Sequence, residues 1–139
     1  MNAKELLEYE MSQVGKQIEA CLDGMSEECM DSKCSPVGMT PREMLEHLCD
    51  AYEAHAATMR GEKYNFGSFV IADKSTDNLR NVFRAQRAKA VGVALSGDDD
   101  KSLHEGYDYI VGHDNYHVGQ LCLCRVQSDP SWDYYAIYA

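Results

Sequence analysis

In four stretches of this chain apolar residues return every three or four positions, and nowhere do they alternate over a useful length. That period lines up one face of a helix, so it commits the chain to helices that must bury their stripes against one another. Residues 3–25 carry Leu6, Leu7, Met11, Val14, Ile18 and Leu22 at helical spacing, with charges between them. The stretch Glu27 to Met39 breaks the period at Cys34-Ser35-Pro36-Val37-Gly38. Thr40-Pro41-Arg42-Glu43 then begins a second helix: an N-cap threonine, a proline at the first helical position and a glutamate placed to reach back as a capping box. This helix runs to about Arg60 and stops at Gly61, and its inner stripe is Met44, Leu48, Ala51, Tyr52 and Met59, with His47 inside it.

Residues 61–74 form a connection that holds Tyr64, Phe66, Phe69, Val70 and Ile71, apolar enough to pack over one end of the helices. Ser75 or Thr76 can cap a third helix with the stripe Leu79, Val82, Phe83, Ala90 and Val93, which ends at the turn Ser96-Gly97-Asp98-Asp99-Asp100. Ser102-Leu103-His104-Glu105 reads as a second capping box and opens a fourth helix through about Val126. Gly106, Gly112 and Gly119 each weaken that helix by roughly 1 kcal/mol relative to alanine, so packing must hold it, and small residues there allow close helix contact or ligand access. After Pro130 the segment Trp132 to Tyr138 is too aromatic for a solvated tail and should cover the helices or a partner subunit. The expected architecture is all-α, four helices in a single domain over residues 1–139.

Charge narrows the partners. The chain has 23 acidic and 13 basic residues, a net charge of −10, and no basic patch, which argues against nucleic acid or an anionic membrane. No apolar run approaches the ~20 residues that a membrane span needs. The opening Met-Asn-Ala-Lys-Glu-Leu-Leu-Glu is charged and lacks a signal-peptide core, which predicts a cytoplasmic protein. The six cysteines Cys21, Cys29, Cys34, Cys49, Cys122 and Cys124 contain no C-x-x-C pair and read as reduced thiols, with Cys29 and Cys34 sharing a loop.

Three histidines carry the chemistry. His113 and His117 stand four apart in His113-Asp114-Asn115-Tyr116-His117. On a helix that spacing places them about 40° apart around the axis and roughly 6 Å along it. Both imidazoles can then reach one cation, and they lie on the inner stripe with Tyr109, Ile110, Leu121 and Cys124. Buried imidazoles need partners, and a shared cation satisfies both. His47, from the second helix, would complete an open-sided site of three ligands, a geometry more typical of catalytic than structural metals. His55 is about 12 Å further along the helix from His47 and His104 about 180° around from His113. Both are expected to be surface or structural residues, leaving three inward histidines of five.

Two other metal classes fit less well. Di-iron carboxylate bundles use inward Glu-x-x-His pairs, which this chain lacks. His113-Asp114-x-x-His117 also looks like a zincin helix with aspartate in place of the glutamate base, but no histidine follows His117 to supply the third ligand.

The segment His113-Asp114-Asn115-Tyr116-His117-Val118-Gly119-Gln120-Leu121 resembles the H-x-x-x-H-x-G-Q-hydrophobic signature of the DinB/YfiT-like putative metalloenzymes. Thr40-Pro41-Arg42-Glu43-Met44-Leu45-Glu46-His47-Leu48 resembles the same family's second-helix segment, which ends in its first metal histidine. The matching letters cover these two segments, while helix order and spacing fit over most of the chain. The resemblance implies an antiparallel four-helix bundle that binds one divalent metal through His47, His113 and His117, with water in the remaining positions and a tendency to dimerise.

Characterised relatives in that family include thiol-dependent transferases and isomerases that use mycothiol, bacillithiol or glutathione. A metal-dependent enzyme, and within that class an S-transferase of low-molecular-weight thiols acting on a small-molecule substrate, is therefore the leading expectation. A non-enzymatic metal-binding or dimerisation module and a metal-dependent hydrolase are the alternatives. Neutral imidazoles suit zinc, nickel or iron(II) alike. Gln120, one turn beyond His117, is the foremost candidate to orient a ligand or line the pocket, ahead of Tyr109, Asp114 and Tyr116.

Overall fold

The computed structural model describes residues 1–139 and contains helices and connections without a β-strand. Helix α1 spans Ala3–Leu22, opened by a capping box that pattern reading passed over: Asn2 Oδ1 accepts from the Glu5 amide while Glu5 Oε2 accepts from the Asn2 amide. It buries Leu7, Met11, Val14, Ile18, Cys21 and Leu22, whereas Leu6 faces solvent. The helix stops three residues before the expected position 25, where Gly24 takes φ +69° and turns the chain out of it. Ser26 then caps a single turn, α2 (Glu27–Met30), inside the stretch expected to be irregular. Cys29 therefore sits buried in a helix rather than on a loop with Cys34, and none of the six cysteines is in a disulfide.

Helix α3 spans Pro41–Met59 and begins with the expected box, Thr40 and Glu43 each accepting from the other's backbone amide. It ends as expected at Gly61, whose φ is +73°, with the Glu62 amide bonded back to the Ala57 carbonyl. Arg42 ties three elements together. Its guanidinium donates to Glu27 and Asp31 of the α2 turn and to the Lys74 carbonyl and Thr76 hydroxyl at the start of α4 (Thr76–Ala94). Ser75 precedes α4, but its side chain makes no cap hydrogen bond.

The last helical run differs from its expected form. Asp99, not Ser102, is the N-cap: its carboxylate accepts from both the amide and the hydroxyl of Ser102. An aspartate there answers the positive end of the helix as well as its free amides. From this cap the chain runs without a break through α5 (Asp100–Gly106), a π-helical turn (Tyr107–Gly112) and α6 (His113–Ser128). Gly106 is needed at the entry to the wide turn, because a Cβ there would lie 3.1 Å from Ala94 Cβ and 3.2 Å from Leu7 Cδ2.

Helices α3 and α4 pack along each other, as do α1 and α6, and the core between them holds Met11, Ile18, Met44, Leu45, Leu48, Tyr52, Leu79, Phe83, Ile110 and Leu121. Burying each large apolar side chain contributes about 1.5–3 kcal/mol, and this shared core is what holds the glycine-bearing last helix. Trp132 and Ile137 pack against the core, and the 3₁₀ turn Tyr134–Tyr138 lies on α1, so the tail covers the helices as expected while its tyrosines remain exposed. No helix is long and apolar enough to cross a membrane.

Candidate metal centre

His47 from α3 and His113 and His117 from α6 converge at one point. His113 Nε2 lies 3.1 Å from His47 Nε2 and 3.0 Å from His117 Nε2, and the nitrogens of all three lie within 4.8 Å of one another. The rings stand edge to face, their planes 68–88° apart, around a common point rather than stacked on one another. Imidazole nitrogens about 2.0–2.1 Å from one cation at tetrahedral or right-angle geometry are themselves separated by roughly 3.0–3.4 Å. Two of the three separations, His47 to His113 and His113 to His117, fall at that spacing.

Hydrogen-bond accounting points the same way. A neutral imidazole carries one N–H, so three nitrogens facing inward cannot all find partners in one another. His113 Nδ1 and His117 Nδ1 are buried without a hydrogen-bond partner, so no group outside the cluster fixes either ring's tautomer. Gln120 Oε1 is likewise buried and unpaired, one turn beyond His117, and its interaction raises the His117 pKa against the stronger effects around it. It is the acceptor placed to orient His117.

The cluster is also electrically ready for a cation. Burial, together with the neighbouring His47, holds His113 down from the usual 6.5 to about 4. Burial with His113 and His47 holds His117 down to about 4 as well. Burial lowers His47, opposed by the nearby Asp50 carboxylate. All three rings are therefore neutral at pH 7. Between pH 6.5 and about 4 the unfolded chain binds protons that the folded one refuses. Metal-free protein is accordingly expected to keep its full stability above about pH 6.5 and to lose it progressively as the pH falls toward 4, as urea midpoints measured across that range will show.

A cleft of about 290 Å³ opens on the triad, lined by His47, His113, Ala51, Phe66, Asp108 and Tyr109. Sequence reading had not reached Phe66 and Asp108. Phe66 comes from the 61–74 connection, which α3 fastens down with two carboxylates one turn apart. Asp50 accepts from the Tyr64 hydroxyl and from the Gly67 and Phe69 amides, and Glu46 from the Ile71 amide and Lys74. These bonds keep the Asp50 carboxyl low in spite of burial, so it stays charged and keeps accepting. A second groove, of about 430 Å³, adjoins on the far side of His47 and Phe66, with Glu43, Glu46 and Asp50 in its wall.

The remaining candidates divide. Tyr109 lines the cleft, and Tyr116 is exposed with its ring 5.1 Å from that of His117. Asp114 points away from the triad into the core. It accepts from the Tyr52 hydroxyl at 2.8 Å and from Arg87 Nε at 2.9 Å, and Arg87 also donates to the Met11 carbonyl. A Cβ on Gly15 would lie 2.5 Å from Arg87 Nη1, so that glycine makes room for the guanidinium. Burial pushes the Asp114 carboxyl up to about 6 against the opposing pull of Arg87 and Tyr52. An aspartate so engaged cannot serve as the base of a zincin helix, which removes the peptidase reading. His104 is exposed as expected. His55 is fully buried with both ring nitrogens unpaired, packed on the Tyr109 ring at 5.4 Å, which corrects the count of inward histidines from three to four. It lies outside the triad.

No protein family, curated protein or solved structure matches this chain.

Proposed function

We propose that the chain is a divalent-metal protein of the DinB/YfiT-like type, an antiparallel four-helix bundle built from α1, α3, α4 and the continuous α5–α6 run, and that it acts as a metal-dependent enzyme on a small molecule. The observation that carries this reading is the convergence of the three rings, with His113 Nε2 within 3.1 Å of both His47 Nε2 and His117 Nε2. Three neutral imidazoles accommodate zinc, nickel or iron(II) and leave part of the coordination sphere open. A dication bound there supplies a Lewis acid that lowers the pKa of a thiol or water molecule.

The chain's own groups shape what reaches it. Phe66, Tyr109 and Ala51 give the cleft apolar walls, and Gln120, one turn beyond His117, is the candidate to orient its ring. Asp108 is its one charged wall residue, and neither the cleft nor the adjoining groove has a lysine or arginine in its lining. The carboxylates of a thiol such as glutathione would thus find no ion-pair partner in these walls. The S-transferase reading rests on the family resemblance, and hydrolase chemistry or metal binding without turnover uses the same three nitrogens.

Cobalt-substituted protein separates these readings. Addition of glutathione, bacillithiol or mycothiol is expected to shift the visible absorption of the cobalt centre. A spectrum indifferent to all three removes the S-transferase reading and leaves hydrolysis or a binding module. The chain is also proposed to form a homodimer, a reading that rests on the family resemblance. Light scattering at tens of micromolar protein should give twice the chain mass, and a monomer there ends that proposal.

A further inference from the structure

Cys21 of α1 and Cys122 of α6 face each other across the helix interface with their sulfur atoms 3.5 Å apart. The two are not equivalent. Cys21 is fully buried, whereas Cys122 is partly exposed and lines a cleft of about 610 Å³ between α6 and the aromatic tail. Gly119, one turn before Cys122 on the same cleft, has open space where a Cβ would stand, so no side chain at that position narrows the cleft. Arg125, one turn beyond, donates to the carbonyls of Cys21 and Asp23. None of these residues belongs to the histidine cluster.

We propose that Cys122 is a peroxide-reactive thiol and Cys21 its resolving partner, so that oxidation joins α1 to α6 through a Cys21–Cys122 disulfide. In the first step the Cys122 thiolate attacks one oxygen of a hydroperoxide. An S–O bond forms, the O–O bond breaks, and the departing oxygen takes a proton and leaves as water or an alcohol. Sulfur loses two electrons to the peroxide and becomes a sulfenic acid. In the second step the Cys21 sulfur attacks Cys122, the S–S bond forms and the S–O bond breaks. The hydroxide released takes the Cys21 proton and leaves as water. With hydrogen peroxide the balance is two thiols and one peroxide to one disulfide and two waters.

The division of roles follows from exposure and hydrogen bonding. The outer thiol is the one an oxidant in the cleft can touch, and the inner one is already in contact with it. The hydrogen bond between them lowers the Cys122 thiol and raises that of Cys21, which favours the thiolate on the accessible sulfur. Elsewhere in the chain burial pushes Cys49 and Cys124 up to about 12, away from reactivity.

The test treats the full chain, zinc-loaded, with a few equivalents of hydrogen peroxide and reads intact mass and the linked peptides. Wild type should lose two hydrogens and give a single Cys21–Cys122 crosslink that dithiothreitol reverses. Cys21→Ala should stop at the sulfenic acid, seen as one dimedone adduct on Cys122, and Cys122→Ser should give neither crosslink nor adduct. Circular dichroism establishes that each variant is folded; should Cys21→Ala not fold, Cys21→Ser replaces it with the same expected adduct. A crosslink between other cysteines, such as Cys34 and Cys124, or dimedone spread over several thiols in wild type, overturns the assignment. So does a wild-type protein that remains fully reduced.

Discussion

His117→Ala is expected to abolish stoichiometric metal binding while leaving the helical content intact. Removing a group that only orients a ligand costs roughly 10–100-fold in metal affinity, so deleting the ligand itself should cost at least about 100-fold. His47→Ala and His113→Ala should behave alike, because each Nε2 lies at contact distance within one cluster. Elemental analysis after dialysis, with a zinc competition titration, reads the effect. His104→Ala should bind as wild type does, since that ring is exposed, and His55→Ala should too, because His55 is packed on Tyr109 outside the cluster. Wild-type zinc affinity in folded His117→Ala would remove the three-ligand assignment, and loss of metal in His55→Ala would redraw its membership.

The largest effect on stability is expected at Asp114, which has no part in holding the metal. Asp114→Ala leaves the Arg87 guanidinium, 12% exposed at the edge of the core beside Gly15, without its carboxylate. Breaking a buried pair by removing one partner costs about 3–5 kcal/mol. The Tyr52 hydroxyl loses its acceptor at the same time. The pair itself contributes much less than that figure, because both charges were taken out of water to form it. Replacing both partners, Asp114→Leu with Arg87→Met, should therefore recover most of the loss. Urea midpoints for the two variants give the measure, and equal destabilisation of both would show that the network acts through packing rather than charge.

The contrast between His113 and Asp114 shows how far a sequence can be read here. The four-residue spacing of His113 and His117 is a local fact of helix geometry, and the Thr40 box sets the register of α3 that brings His47 to meet them. Asp114 follows His113 directly, so it leaves the axis about 100° away; its partner Arg87 belongs to α4 and is set only by tertiary packing. His55 was misplaced because α3 is buried on more than one face. Ala54, Ala56 and Ala57 are all enclosed, and a single-stripe reading leaves no room for that. At the last helix the Ser102-x-x-Glu105 pattern imitated a cap that Asp99 supplies. Phe66 enters the cleft through hydrogen bonds to Asp50 and Glu46, long-range pairings that no local pattern announces.

The wide turn between Gly106 and His113 makes the site a matter of counting. A π turn uses more residues per revolution than an α turn, so the chain takes up an extra residue between its fixed contact at Gly106 and its histidines. Winding Tyr107–Gly112 as plain α-helix at the same length would rotate everything beyond it by about 100°. His113 and His117 would swing together, still four apart and still matching the same motif, but no longer aimed at His47. Two chains of this kind could share every ligand letter and differ only in the winding of this one turn, and only one of them would have a metal site. For such helices the winding of the segment leading to a motif carries as much chemical information as the motif itself.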